Sequence, residues 1–258
     1  MAKLRTHRAL LLAPLLTLVA LAIWQLAIAP GMDSIPQPTE IATQIVDNWD
    51  TLWSATLTTG EVALIGLAVG SSFALALALI SLVSRSLEGA ILRLGLALYS
   101  VPIIVVAPLL VLWLGQGQRP RVAIAALAVF FIVLVNAIRG FRATSRESHE
   151  LMHVLSASPL HVLRYLRVPS ALPYLMNAFK VAVPASVFGA VIGEWIGANK
   201  GLGVVMFFSL YQFDVPRLWS AMVLTTAIAL AGFAIVSLLE RWLMPWHESV
   251  QTSRIETA

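Results

Sequence analysis

The sequence has no cysteine and few charged residues. Without cysteine, the chain has no disulfide, no thiol chemistry and no cysteine-ligated zinc or iron–sulfur site. Only 12% of its 258 residues are charged and 59% are apolar, whereas soluble domains are about 25% charged and about 45–50% apolar. These figures exclude an ordinary soluble domain, a disordered tail and a basic nucleic-acid-binding domain, which leaves a multi-span membrane protein.

A phosphate-binding P-loop is also missing. That motif needs Gly-Lys followed by Ser or Thr, and the three lysines of this chain follow alanine, phenylalanine and asparagine. The sequence therefore predicts no nucleotide, metal or other cofactor on this chain, and no Ser/His/Asp arrangement suggests a nucleophilic enzyme. Glutamates and histidines are also too few for a proton relay, which disfavours a secondary transporter.

Six apolar stretches have the length of about 20 residues that a membrane-spanning helix needs. They cover residues 9–29, 57–83, 92–114, 122–138, 175–196 and 218–243. The first begins like a signal peptide, but its apolar run is too long and Pro30 would follow the cleavage site. We interpret it as a retained span, so residues 1–258 form one all-α, six-span domain.

Lysine and arginine are distributed unevenly between the two sides of these spans. With the N-terminus inside, the inner segments hold 12 of them and the outer loops hold 4, and Lys180 lies within a span. Cytoplasmic loops carry the excess of basic residues, so both termini are predicted in the cytoplasm. The first outer loop carries an apolar stripe, Ile41, Ile45, Trp49 and Leu52, which predicts a helix lying flat at the interface.

The longest inner loop, residues 139–172, predicts two short helices with a tight bend. Thr144 and Glu147 have the spacing of a capping box, which begins the first helix. Ser158 followed by Pro159 begins the second. Prolines 169 and 173 are expected to end it before the fifth span. The apolar side chains between the histidines and arginines indicate a partner protein that buries them.

This loop resembles the EAA loop of bacterial ABC importer permeases. The family pattern reads Glu-Ala-Ala, three residues, Gly, nine residues, then Ile-x-Leu-Pro, and Glu150 and Pro169 match it. The alanines are replaced by leucine and methionine, and the glycine by Ser156, which enters a left-handed turn less readily. The resemblance implies that the following residues couple to an ATPase: Glu150, Leu151, Leu155, Ser156, Ala157, Ser158, Pro159, Leu160 and Pro169.

Further motifs resemble the nitrate/sulfonate/taurine branch of these permeases, in order and at the family spacing. They are Tyr99-Ser-Val-Pro, Trp113-Leu-Gly-Gln-Gly, the segment ending at Asn136, and Glu194-Trp-Ile-Gly-Ala-Asn-Lys-Gly-Leu-Gly. Within them, Tyr99, Asn136, Glu194 and Asn199 are candidates for the translocation pathway or its gate.

The resemblance implies a type I ABC importer permease in a bacterial inner membrane. Such a chain would work as a homodimer with two P-loop ATPase subunits, which carry the ATP and magnesium, and with an extracytoplasmic binding protein. The branch implies a small anion such as nitrate, an aliphatic sulfonate or taurine, although related permeases carry pyrimidine vitamin precursors. A scaffold or channel protein would instead need no ATPase.

One motif in the inner loop suggests a different class. The segment from His149 to His153 fits His-Glu-x-x-His, which binds zinc in metalloproteases with the glutamate as general base. A membrane-embedded zinc protease is the enzyme alternative. However, the extended metzincin motif fails, because serine and proline stand where glycine and a third histidine are needed.

Ionisable residues and glycines within the spans suggest further roles. Glu61 lies near the outer end of the second span, and Lys180 near the inner end of the fifth is expected to snorkel. Glu194 either faces an aqueous cavity or bonds a neighbouring helix. Glycines recur every four residues at 189, 193, 197 and 201, and again at 66 and 70. This spacing predicts that the helices pack closely at these faces. For the first set, a gating surface is the alternative. Pro102, Pro108 and Pro184 are expected to kink their helices.

Overall fold

The computed structural model describes residues 16, 18–27 and 35–244, and these form helices and turns without a β-strand. In chain order the helices are α1 (Leu18–Ala27), α2 (Pro38–Asp47), α3 (Trp49–Ser81), α4 (Arg85–Ser100), α5 (Ile103–Leu114), α6 (Gln118–Arg142), α7 (Arg146–Val154), α8 (Pro159–Val162), α9 (Val168–Gly197), α10 (Leu202–Tyr211) and α11 (Val215–Leu243). The predicted all-α class is confirmed.

Helices α3, α6 and α9 form the centre of the bundle, and small residues allow their close approach. A Cβ at Gly66 would lie 2.4 Å from that of Ala125, and one at Gly70 would meet the Ala126 backbone. On α9, a Cβ at Gly189 or Gly193 would meet the α6 backbone at 2.8 and 2.9 Å. The predicted close packing is therefore confirmed for these four glycines, whose neighbours belong to the same chain.

The described residues contain four helices that are long and apolar enough to cross a membrane. They are 49–81, 118–142, 159–197 and 215–243. The predicted span 92–114 is wrong as a single helix: α4 and α5 meet at an angle of 94°. Val101 has an extended backbone and Pro102 follows it, because the residue before a proline avoids the helical region. Of the predicted first span, residues 9–29, the structure describes residue 16 and residues 18–27, and the latter form helix α1.

Not every proline interrupts a helix. Pro108 and Pro184 lie inside α5 and α9, which continue past them. The helix is broken at Pro102, where the preceding residue leaves the helical conformation as well, and the predicted kinks at Pro108 and Pro184 stay predictions.

The predicted interfacial helix is wrong in its extent, because its stripe is divided between two helices. Ile41 and Ile45 lie on α2, which ends at Asp47, whereas Trp49 and Leu52 belong to α3. Ile41 is buried, and its carbonyl accepts a hydrogen bond from Ser220 on α11 at 3.3 Å. The second span therefore begins at Trp49, eight residues earlier than the apolar run indicates.

Candidate functional site

The inner loop folds into a helical hairpin that begins with a serine cap. The Ser145 hydroxyl accepts from the Ser148 backbone N–H at 3.1 Å, so α7 begins one residue later than the Thr144 cap predicted. Thr144 instead contacts His149, with 2.7 Å between Oγ1 and Nε2. Both residue types cap helices well, and the sequence did not indicate which of the two would be chosen.

The bend of the hairpin is a Schellman motif centred on Ser156. Its backbone is left-handed, with φ of +50°. The Ala157 N–H donates to the Met152 carbonyl at 3.0 Å and the Ser156 N–H donates to the His153 carbonyl at 2.9 Å, which is the bond pair of that motif. Serine therefore occupies the position at which glycine is usual, and the bend keeps its form.

The second arm of the hairpin runs on into the membrane domain. Ser158 caps α8 and Pro159 is its first residue, as predicted. The prediction that prolines end this arm is wrong, because a π-helical turn, Leu163–Arg167, joins α8 to α9 without a break. Pro169, which has no backbone N–H to donate, lies at the second position of α9, just after this π-helical turn.

Apolar side chains of the hairpin face away from the rest of the chain. Leu151, Val154, Leu155 and Leu160 are between 58% and 80% exposed, and no residue of α7 is buried. The exposed Glu150 carboxylate accepts from Arg146 at 2.9 Å, one helical turn earlier. We call residues 146–160 the coupling hairpin. Its exposed apolar surface is the kind that a protein partner covers.

The zinc-site interpretation finds no support in this geometry. His149 is engaged by Thr144 and Glu150 by Arg146. Across residues 35–244, and in the described part of α1, no three or more His, Cys, Asp or Glu side chains come together as a metal site would require.

Glu194 bonds neighbouring elements instead of facing open space. It is 1% exposed, and its carboxylate accepts from the Thr59 hydroxyl on α3 at 2.9 and 3.0 Å and from the Gly203 N–H at 2.7 Å. Thr59 also accepts from the Leu202 N–H at 2.8 Å. Gly201 has φ of +125°, and a Cβ there would lie 2.2 Å from the Glu194 carboxylate. Glu194 and Thr59 thus hold the start of α10 against α3 and α9.

The other pathway candidates lie on separate elements. Tyr99 on α4 stacks on Phe131 of α6, with ring centroids 4.9 Å apart. The Asn136 side chain donates to the Ile132 carbonyl of its own helix at 2.8 Å, and Asn199 is exposed between α9 and α10. Their assignment to the pathway stays a prediction.

Other charged or polar side chains of the bundle are paired. The sequence predicted that Lys180 would snorkel; in the structure its ammonium group forms an ion pair with Glu240 on α11. Glu88 on α4 pairs with Arg142 at 2.6 Å, and Gln118 donates to Glu61 at 2.9 Å. The sequence did not single out Glu88 or Glu240, because their partners lie more than 50 residues away in the chain.

Three cavities follow one another along the face formed by α4, α5, α6 and α9. The first, of about 700 Å³, lies between α5, α9, α10 and α11, and the second, of about 300 Å³, lies at the bend between α4 and α5. Ile103 and Phe188 line both. The third, of about 420 Å³, shares Phe131 with the second and ends among Arg85, Arg139 and Arg142. We call this series the cavity track.

The amino-acid sequence matches one family model over most of its length. The model describes the binding-protein-dependent transport system inner membrane component and matches residues 66–247, which include the coupling hairpin and Glu194. The chain belongs to this family. It is therefore a membrane-spanning permease subunit of an ABC importer and not an enzyme.

Curated relatives of the permease are themselves transport permeases. It is 33% identical to the formylaminopyrimidine transport permease protein ThiX of Halalkalibacterium halodurans over 83% of this chain and 86% of that protein. It is 33% identical to the riboflavin transport system permease protein RibX of Chloroflexus aurantiacus, over 64% and 62%. The putative aliphatic sulfonates transport permease protein SsuC of Bacillus subtilis is 24% identical, over 92% and 88%.

Solved structures share the fold of the permease. A chain of the MetNI methionine ABC transporter in an inward-facing conformation aligns with a TM-score of 0.57 at 18% identity, covering 79% of this chain and 99% of that one. The identification of the sequence with ABC importer permeases, including the sulfonate and taurine type, is thus confirmed, and so is the type I permease fold.

Proposed function

We propose that two copies of this permease enclose the translocation pathway of an ATP-driven importer in a bacterial inner membrane. Two P-loop ATPase subunits bind the coupling hairpins inside the cell, and a binding protein delivers substrate outside. The family match supports this arrangement, and the observation that carries it is the coupling hairpin with its exposed leucines. Both termini are on the cytoplasmic side in this proposal, as the distribution of basic residues favours.

Energy enters through the coupling hairpin in this mechanism. The permease has no P-loop, so ATP and magnesium are held by the partner, and closure of the ATPase dimer moves the hairpin. Because α8 continues into α9, that motion reaches the core of the membrane domain directly. The permeases then change from inward-facing to outward-facing, the binding protein releases its substrate into the opened space, and hydrolysis resets the cycle.

The imported compound belongs to one of two chemical classes in this proposal. ThiX and RibX transport a pyrimidine and riboflavin, as their names state, whereas SsuC is named for aliphatic sulfonates. The two relatives at 33% identity favour a heterocyclic vitamin or its precursor. Because one relative is named for aliphatic sulfonates, a small anion is the alternative substrate class.

Co-purification tests the coupling role. The tagged permease is extracted in mild detergent and analysed by mass, and we expect a P-loop ATPase at one copy per permease. Leu155→Arg places a charge in the apolar surface of the coupling hairpin and should release the ATPase, because burying an unpaired charge is costly. Leu155 is 65% exposed, so the fold of the permease tolerates the change.

A matched control places the same charge elsewhere. Trp242 is 79% exposed near the end of α11, on the side predicted to be cytoplasmic. Trp242→Arg should leave the ATPase bound. Retention of the ATPase by both variants would contradict the assignment of the hairpin, and a wild-type permease that purifies alone would contradict the importer arrangement.

A further inference from the structure

The cavity track has a lining whose chemistry bears on the substrate. We propose that it conducts a planar, uncharged heteroaromatic compound, which stacks in turn on Phe188, Phe131 and Tyr99. The inference deepens the proposed function and rests on it, because it assigns the substrate class and the residues that recognise it.

The first two cavities carry no charge. Among the described residues that line them there is no aspartate, glutamate, lysine, arginine or histidine, and the polar side chains are those of Thr225, Thr226, Tyr99 and the Trp195 indole. A sulfonate or nitrate ion would lose its hydration there without gaining a cation, and unpaired charges at membrane depth are costly. An uncharged ring meets no such barrier.

Aromatic rings stand where the cavities join. Phe188 lines the first and second cavities and is 63% exposed. Phe131 lines the second and third, and Tyr99, 55% exposed, stacks on it. A passing ring therefore has an aromatic side chain within its surroundings at each junction. Stacking of this kind accepts many different heteroaromatic rings, because each of them has a π-face.

Two hydroxyl groups in the first cavity suit an amino-substituted heterocycle. Thr225 donates to the Ala221 carbonyl at 2.8 Å and Thr226 donates to the Met222 carbonyl at 2.9 Å. A hydroxyl has one proton and two lone pairs, so both oxygens remain able to accept hydrogen bonds from ring N–H or amino groups. A nitrate ion or an unsubstituted alkyl sulfonate has no proton to donate and cannot use these acceptors.

Positive charge enters only at the end of the cavity track. In the lining of the third cavity, Arg85 and Arg142 both face Glu88, at 4.0 and 2.6 Å, and Arg139 is exposed and forms no ion pair with another described residue. A small anion entering at the first cavity would have to pass two uncharged cavities before meeting this cation. The order of the linings therefore favours the neutral ring over the anion.

Ligand-detected NMR on the full permease in nanodiscs tests this inference. Saturation transfer to formylaminopyrimidine, titrated to give a Kd, should be readily detected, and transfer to ethanesulfonate should be absent. Phe131→Leu and Phe188→Leu should each raise the Kd for formylaminopyrimidine about tenfold, the size expected when one stacked ring is lost. Phe131→Tyr keeps a ring and should keep the wild-type Kd.

Phe233→Leu is the matched control. Phe233 is an exposed phenylalanine of α11 outside the linings of the cavity track, and its loss should leave the Kd unchanged. Equal effects of all leucine variants, stronger transfer to ethanesulfonate, or no transfer to formylaminopyrimidine would each overturn the inference. Cross-linking of two copies through this face, with no ligand transfer, would identify it as an interface only and would also overturn it.

The two proposals fail separately. The same preparations are probed for the co-purifying ATPase and its release by Leu155→Arg. Normal ATPase binding together with ring-independent ligand binding contradicts the substrate class alone. A missing ATPase contradicts the importer arrangement, whereas ring-dependent binding of the heterocycle would remain measurable.

Discussion

The buried carboxylate of Glu194 joins three helices. It accepts from Thr59 of α3 and from the Gly203 N–H at the start of α10, while its own backbone belongs to α9. Because these donors are buried, losing their acceptor leaves each donor without a partner, at a cost of about 1–3 kcal/mol. This side chain is therefore expected to stabilise the end of the bundle at which α9 meets α10.

Replacement of Glu194 should lower thermal stability in a graded manner. Glu194→Gln keeps one acceptor oxygen, so it should lose less than Glu194→Ala, which removes both and opens a void. The apparent Tm in detergent, followed by the monodisperse fraction after heating, checks this order. Glu61→Ala, at an exposed carboxylate bonded to Gln118, is the control. An unchanged Tm for Glu194→Ala would show that the bonds contribute nothing measurable.

Single residues also show where sequence reasoning ends. The motif around Glu194 was recognised from adjacent residues, but its partner Thr59 lies 135 positions earlier. Similarly, the ion pair of Lys180 was missed and snorkelling was expected instead, because its partner, Glu240, lies on another helix. A local sequence pattern does not say which residue, distant in the chain, is brought close by folding. These roles could therefore be assigned only from the three-dimensional structure.

At the scale of an element, the coupling hairpin depends on one left-handed residue. A left-handed backbone costs a residue other than glycine about 1–2 kcal/mol, and the bend accepts Ser156 in this conformation. The family pattern has glycine there, and the sequence alone did not establish whether the bend would survive with serine. The Schellman bonds of Ser156 and Ala157 show that it does.

Substitutions at this bend should change its local stability in opposite directions. Ser156→Gly removes the steric cost and should slow hydrogen exchange of the Ala157 amide, whereas Ser156→Val, which is β-branched, should accelerate it. Leu155→Val is the control, because Leu155 has an ordinary φ of −77°. Faster exchange in the glycine variant would indicate that the stability of the bend depends more on the flexibility of the unfolded chain than on steric strain at residue 156.

Helix ends followed local sequence only in part. The start of α8 at Ser158 and Pro159 was predicted because both signals are local. The continuation through Pro169 was missed, because the intervening π-helical turn has no sequence signature of its own. Likewise, Pro102 and Pro184 are both prolines in apolar runs, yet only the first coincides with a break.

At the scale of the whole molecule, composition and periodicity were sufficient for the fold class. The apolar runs predicted helical spans, and four of them are single helices in the structure. The bend between α4 and α5 was not foreseen, because hydropathy measures how apolar a segment is and not whether it is straight. The direction of insertion rests on the basic residues and stays a prediction.

The absence of cysteine makes that direction easy to test. Lys200→Cys lies in the exposed turn before α10, and Arg85→Cys lies at the exposed start of α4. In intact spheroplasts, a membrane-impermeant maleimide should label the first and not the second, and both should react after permeabilisation. The parent protein is the blank, since it has no thiol. Labelling of Arg85→Cys alone would invert the proposed topology.

The continuous helix from Pro159 to Gly197 has a mechanical consequence. Its 39 residues make a rod about 58 Å long at about 1.5 Å per residue. Gly189, nearer the C-terminal end of this rod than its middle, is in backbone contact with Ala125, and no side chain separates the two helices there. A rod held at this point pivots about it, with a long arm towards the coupling hairpin and a short arm towards Glu194. Displacement of the coupling hairpin in one direction would therefore tilt Glu194 in the other, and α10, bonded to it, would move with it.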